Sequence, residues 1–89
     1  MEILQNKSKL KRVDLELFLR FLNVISETIP IGITKLQMKT GVNHIVCVKY
    51  IVFLEKFGLV RLITHEKSKE IYITERGKSA ILAVTSYFQ

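Results

Sequence analysis

Four residues punctuate the middle of this chain: Pro30, Gly32, Gly41 and Gly58. They divide it into one long segment, one short one and another long one. Proline disfavours a helical residue before it, so a helix running from about Val13 to Thr28 has to stop there. Ile33 to Thr40 (ITKLQMKT) holds two helical turns before Gly41, with Thr34 as candidate cap. Val42-Asn43 then opens a longer helix to about Phe57. Asn43 suits the N-cap, because its side-chain oxygen can accept from an otherwise unpaired first-turn amide. Gly58 suits the position after the helix, where the chain turns left-handed at no steric cost.

Beyond Gly58 the pattern changes. Leu59 to Thr64 (LVRLIT) and Glu70 to Thr74 (EIYIT) are rich in β-branched and aromatic residues and flank a polar tip, His65-Glu66-Lys67-Ser68-Lys69. This predicts a β-hairpin. Glu75 to about Phe88 closes the chain as a helix, capped by Thr74, with Ala80, Ile81, Val84, Tyr87 and Phe88 on one side. The order is helix, short helix, helix, hairpin, helix, an α+β chain that is mostly α. A short helix joined to a longer one through a glycine-containing turn is helix-turn-helix geometry, and the hairpin supplies a wing.

The first helix carries more apolar surface than a monomer's surface helix needs. At 100° per residue Glu16, Arg20, Asn23 and Glu27 share a narrow polar arc. Leu15, Phe18, Leu19, Leu22 and Ile25 form one apolar stripe, and Leu17, Phe21 and Val24 a second beside it. The second stripe is covered either by the chain itself or by a partner subunit. The whole chain is 48% hydrophobic over 89 residues, more than one small core obviously needs. Both features give Leu17, Phe21 and Val24 as the expected dimer contact.

Fourteen Lys and Arg stand against eight Asp and Glu, a net charge of +6. That surplus favours a polyanionic partner, nucleic acid before an anionic membrane surface. The lone Cys47 cannot form an internal disulfide. No apolar run reaches the ~18 residues of a membrane span, and the first residues lack a signal-peptide layout. A cytoplasmic protein is expected, with no membrane partner.

Three pieces of the sequence resemble the archaeal-type winged-helix DNA-binding family. Tyr50-Ile51 with Leu54-Glu55-Lys56-Phe57-Gly58-Leu59-Val60 is similar to the family's end of the recognition helix and start of the wing. Ile71-Tyr72-Ile73-Thr74-Glu75-Arg76-Gly77 is similar to its passage from the wing into the last helix. Thr34-Lys35 through Val42 takes the place of the helix-turn-helix lead-in. With the first helix, the resemblance covers about four-fifths of the chain. It implies a winged helix-turn-helix with a three-helix core, a two-stranded wing and a C-terminal helix, over residues 13–89; residues 1–12, which end in a basic cluster, read as an arm before it. It also implies a homodimeric regulator or chromatin-associated protein. Many members dimerise through an extended C-terminal helix; only about a dozen residues follow Gly77 here, so a dimer has to form otherwise.

On the helix from Asn43, the side with Cys47, Tyr50, Ile51 and Leu54 is expected to face the core. The opposite side carries Ile45, Val48, Lys49, Val52 and Lys56, with His44 on its flank. A face meeting only water would be polar. In helix-turn-helix proteins the N-terminal part of this helix enters the major groove. There apolar side chains can meet thymine methyls, and Lys or His can reach base acceptors or phosphates. The expected DNA-binding set is Lys35, Lys39, Asn43, His44, Ile45, Val48, Lys49, Lys67 and Lys69, with Asn43 mainly a cap. Lys35 and Lys39 flank the turn, and Lys67 and Lys69 lie at the wing tip, where phosphate contact needs only flexible cations within reach.

Cys47 and His44 form an i, i+3 pair, but no further ligands complete a metal site. No glycine-rich phosphate loop, Ser/His/Asp set or catalytic carboxylate pair can be assembled, so neither an enzyme nor a cofactor is expected. No small-molecule effector is evident either. Double-stranded DNA is the expected partner. The rival reading is a protein-interaction module that docks through the apolar face of the 43–57 helix, and RNA is a weaker third choice.

Overall fold

The computed structural model describes residues 14–87, in the order α1 (Leu15–Glu27), β1 (Ile31–Gly32), α2 (Ile33–Thr40), α3 (His44–Lys56), β2 (Val60–His65), β3 (Ser68–Ile73) and α4 (Glu75–Tyr87). The expected arm at 1–12, and the expected placements of Val13 and Phe88, lie outside the described residues.

Each helix starts where a side chain or the backbone geometry allows. Asp14 caps α1, its Oδ1 accepting from the amides of Glu16 at 3.0 Å and Leu17 at 3.2 Å. Asn43 caps α3 as expected, its Oδ1 accepting from Val46 at 2.9 Å. Gly41 and Gly58 take φ of 77° and 75°, the left-handed turns that end α2 and α3. Thr34 is not a cap. Gly32 holds that position and has no side chain to offer, so the first turn of α2 begins without one.

Alternation along the hairpin sets its register. Val60 pairs with Ile73, Leu62 with Ile71 and His65 with Ser68. Val60 and Ile71 are buried while Arg61 is exposed, the period-two burial of a half-covered sheet. The connection is tighter than the five-residue tip expected from composition. Only Glu66 and Lys67 lie in the turn, Glu66 with φ of 44°, and His65, Ser68 and Lys69 extend the strands. The sheet also has a third strand. Ile31 pairs with Ile71 and Gly32 with Glu70, giving the order β1-β3-β2. Two residues carry no alternation, so β1 was invisible in the sequence.

Both apolar stripes of α1 are used inside the chain. This helix packs against α2, α4 and β3. Leu22 and Ile25 from one stripe and Phe21 from the other are fully buried. Phe21 stacks on Tyr50 with ring centroids 4.9 Å apart, which leaves it no surface for a partner subunit. Leu17 and Val24 are half-buried, packed against the same core. The expected three-residue dimer contact therefore loses its central member to the core.

Candidate nucleic-acid interface

α2 packs on α3, and polar contacts tie α2 to its neighbours. Arg20 of α1 donates through Nη1 to the Thr40 carbonyl at 2.9 Å, placing a cation at the carboxyl end of α2, where backbone carbonyls lack helical partners. Thr40 is buried, and its hydroxyl donates to Leu36 at 2.8 Å. Across the turn, His44 Nδ1 lies 3.4 Å from Gln37 Oε1. In the sequence Arg20 belongs only to the polar arc of α1, and nothing local marks its bond to Thr40.

The inward face of α3 is as expected: Cys47, Tyr50, Ile51 and Leu54 are buried. Burial pushes the Cys47 thiol above its ordinary pKa, because an apolar site disfavours the thiolate. His44 is exposed, so the Cys47–His44 pair does not converge on a common site. Among the described residues no cluster of three or more His, Cys, Asp or Glu could hold a metal ion.

The outward face of α3 carries two exposed apolar side chains among charged ones, where water alone would favour polar groups. Ile45 is 65% exposed and Val52 56%, with Lys49 and Lys56 exposed beside them. Val48 lies on the flank, half-buried. Asn43 spends its side-chain oxygen on the cap, as its position suggested.

A second group of expected residues comes together away from α3. Lys35 on α2 and Lys67 and Lys69 on the wing line one open hollow with Gly32, Thr34 and Ser68. The pairing of Gly32 with Glu70 brings the wing to the start of α2. The start of α2, which has no N-cap side chain, therefore borders a hollow lined by three lysines. Backbone N–H groups and the positive end of the helix dipole both favour an anion there. Lys39 is exposed in the last turn of α2 and does not line this hollow. Thr34 and Ser68 were not expected in it, since only the long-range β1–β3 pairing places them there.

On the outer face of the wing, His65 Nε2 lies 2.9 Å from Glu70 Oε1, and the Tyr72 hydroxyl donates to the same oxygen at 3.1 Å. That hydrogen bond to Glu70, with a smaller effect of burial, raises the Tyr72 pKa. The pairing draws His65 towards the wing's own surface.

Three helices with a helix-turn-helix at α2–α3, followed by a hairpin and a closing helix, define a winged-helix protein. No family model and no curated protein matches the sequence. Among solved structures, the chain is similar to Sso10a-2, a DNA-binding protein from Sulfolobus solfataricus, with a TM-score of 0.76 and 28% identity over 86% of this chain and 79% of that one. It is also similar to a MarR-family transcriptional regulator from Silicibacter pomeroyi, with a TM-score of 0.75 and 20% identity over 83% of this chain and 51% of the other. FabT of Streptococcus pneumoniae, solved in complex with DNA, matches with a TM-score of 0.72 and 13% identity over 92% of this chain and 59% of its own. The chain thus spans between half and two-thirds of these two regulators.

Proposed function

We propose that this chain binds double-stranded DNA and acts as a transcription-regulator-type or chromatin-type protein. In this reading α3 lies in the major groove, and the hollow between α2 and the wing holds a backbone phosphate. The observation that carries it is the convergence of Lys35, Lys67 and Lys69 on the uncapped start of α2, adjoining the helix-turn-helix. The net charge of +6 points the same way, as does the similarity to Sso10a-2, described as DNA-binding. Catalysis has no part in the proposal.

A fluorescence-anisotropy titration of mixed-sequence duplex DNA across a salt series tests it. The binding constant is expected to fall steeply with salt, because cations on the protein displace condensed counterions. Binding that is absent, or indifferent to salt, overturns it. The exposure of Ile45 and Val52 also favours the rival reading, a partner protein docked on the same face, which that result would promote.

A homodimer belongs to the same proposal, without Phe21. Leu82 of α4, 71% exposed, and Leu15 at the start of α1 are apolar side chains left open to a second copy. Sedimentation at concentrations on the order of tens of micromolar, where a stable dimer is readily populated, decides it. A monomer there removes the dimer and leaves DNA binding standing.

A further inference from the structure

We infer that the α3 face recognises DNA through the C5-methyl groups of pyrimidines, so that its preferred partner is thymine-bearing duplex. The inference rests on the DNA-binding reading above and concerns which duplex that face takes. Ile45 and Val52 lie seven residues apart on one strip of α3, with Lys49 between them and Val48 on the flank. At 1.5 Å per residue the two apolar side chains are about 10 Å apart along the helix, on the order of three base-pair steps. Both are more than half exposed.

The face is poor in groups that read bases by hydrogen bonds. Guanine is read in the major groove chiefly by Arg or Lys and adenine by Asn or Gln; His44–Lys56 contains no Arg, Asn or Gln, and its only guanine readers are Lys49 and, in the last turn, Lys56. The two amides nearest the turn are engaged elsewhere, Asn43 Oδ1 with the Val46 amide and Gln37 Oε1 with the His44 ring. Glu55, which could accept from cytosine, lies one turn beyond Val52 and to the side of the Ile45–Val52 strip. What the strip offers is apolar surface, and the apolar feature of the major-groove floor is the thymine methyl. Charge complementarity supplies the approach: Lys49 and Lys56 are exposed on the same helix, and Lys35, Lys67 and Lys69 add positive charge on α2 and the wing.

The test uses the full chain and synthetic duplexes of about two helical turns, ~20 base pairs. One is rich in A·T pairs. A second has the same sequence with uracil replacing thymine, which deletes only the methyl. A third is G·C-rich, made with cytosine and again with 5-methylcytosine. Each buried methyl is expected to contribute roughly 4-fold in affinity. Wild type should therefore bind the thymine duplex roughly 4-fold or more tighter than the uracil one, and the methylated G·C duplex tighter than the unmethylated. Ile45→Ala and Val52→Ala change exposed side chains, and circular dichroism checks their fold. Each should lose part of the thymine-over-uracil ratio, as a coupling between protein and DNA changes requires. Equal binding of thymine and uracil duplexes overturns the inference while DNA binding stands. A ratio that survives undiminished in both variants overturns it too, because the methyls are then read elsewhere. Failure to bind any duplex overturns this inference and the DNA-binding reading together.

Discussion

The Thr74 hydroxyl donates to the carbonyl of Gly58 across 2.7 Å, joining the residue before α4 to the left-handed turn that follows α3. The same oxygen accepts from the Gly77 amide at 3.0 Å, and the Thr74 amide donates to Leu59 at 3.1 Å. A Cβ on Gly77 would collide with the Leu59 carbonyl and crowd the Ile73 side chain. The Gly-Leu that opens the wing and the Thr-x-x-Gly that closes it are thus one set of contacts. Their spacing is a structural requirement of the wing.

Thr74→Val is therefore expected to cost about 1 kcal/mol, the value of a lost cap. Gly77→Ala should cost about 1–3 kcal/mol, because the added methyl meets backbone that cannot swing aside. Urea denaturation measures both. The double variant should fall short of the sum, since the two residues share partners. Strict additivity would show that they act separately.

The ring stack of Phe21 on Tyr50, with planes 12° from parallel, carries the second prediction. Phe21→Ala is expected to lose about 3–5 kcal/mol, as large-to-small core changes do. Phe21→Glu buries an unpaired charge among apolar groups, and the expected outcome is a chain without a cooperative thermal transition. A folded Phe21→Glu protein of altered subunit state would return this residue to an interface.

These two sites show what a sequence can and cannot disclose. The helix bounds at Asn43, Gly41 and Gly58 were legible because caps and left-handed turns depend on the residue itself. Helical period placed Ile45, Val48 and Val52 outward; Ile45 and Val52 are exposed, while Val48 is half-buried on the flank. The fate of Phe21 was not legible. Periodicity shows that a stripe is apolar, but whether α4 and α3 cover it or a second subunit does is decided by packing between distant segments. β1 and the three-lysine hollow were hidden for a similar reason, since the pairing of Gly32 with Glu70 spans 38 positions and leaves no local trace. The Arg20 bond to Thr40 likewise joins two helices.

Burial of Cys47 gives a pH-dependent prediction. Its thiol pKa is raised by burial, so the folded state holds the proton more tightly than the unfolded chain. The unfolded thiol ionises first as pH rises, and stability is lost as pH climbs past the ordinary thiol value. Tyr72, raised chiefly by its bond to Glu70, shifts stability in the same direction. Denaturation midpoints are expected to fall on the alkaline side, and less so in Cys47→Ala. Iodoacetamide at about pH 8 should modify the thiol slowly in the native protein and rapidly in urea, because the thiolate is the nucleophile. Rapid native alkylation would show that the α1–α3 core opens.

The hollow between α2 and the wing carries the last prediction. Lys35, Lys67 and Lys69 line it together, whereas Lys39 lies outside it and Lys49 belongs to the α3 strip. A lysine that holds a phosphate contributes to the salt dependence of binding and carries no base preference. Each of Lys35→Ala, Lys67→Ala and Lys69→Ala should therefore weaken binding about equally on every duplex. Each lost phosphate contact should lower the slope of log K against log salt by about 0.9. If the three share one phosphate, the triple variant should lose about one unit of slope; three separate phosphates would give nearly three. Lys49→Ala, by contrast, is expected to alter which duplexes are preferred, in a selection from random sequences compared position by position. An unchanged slope in all three hollow variants would leave the α2–wing hollow without a role on DNA.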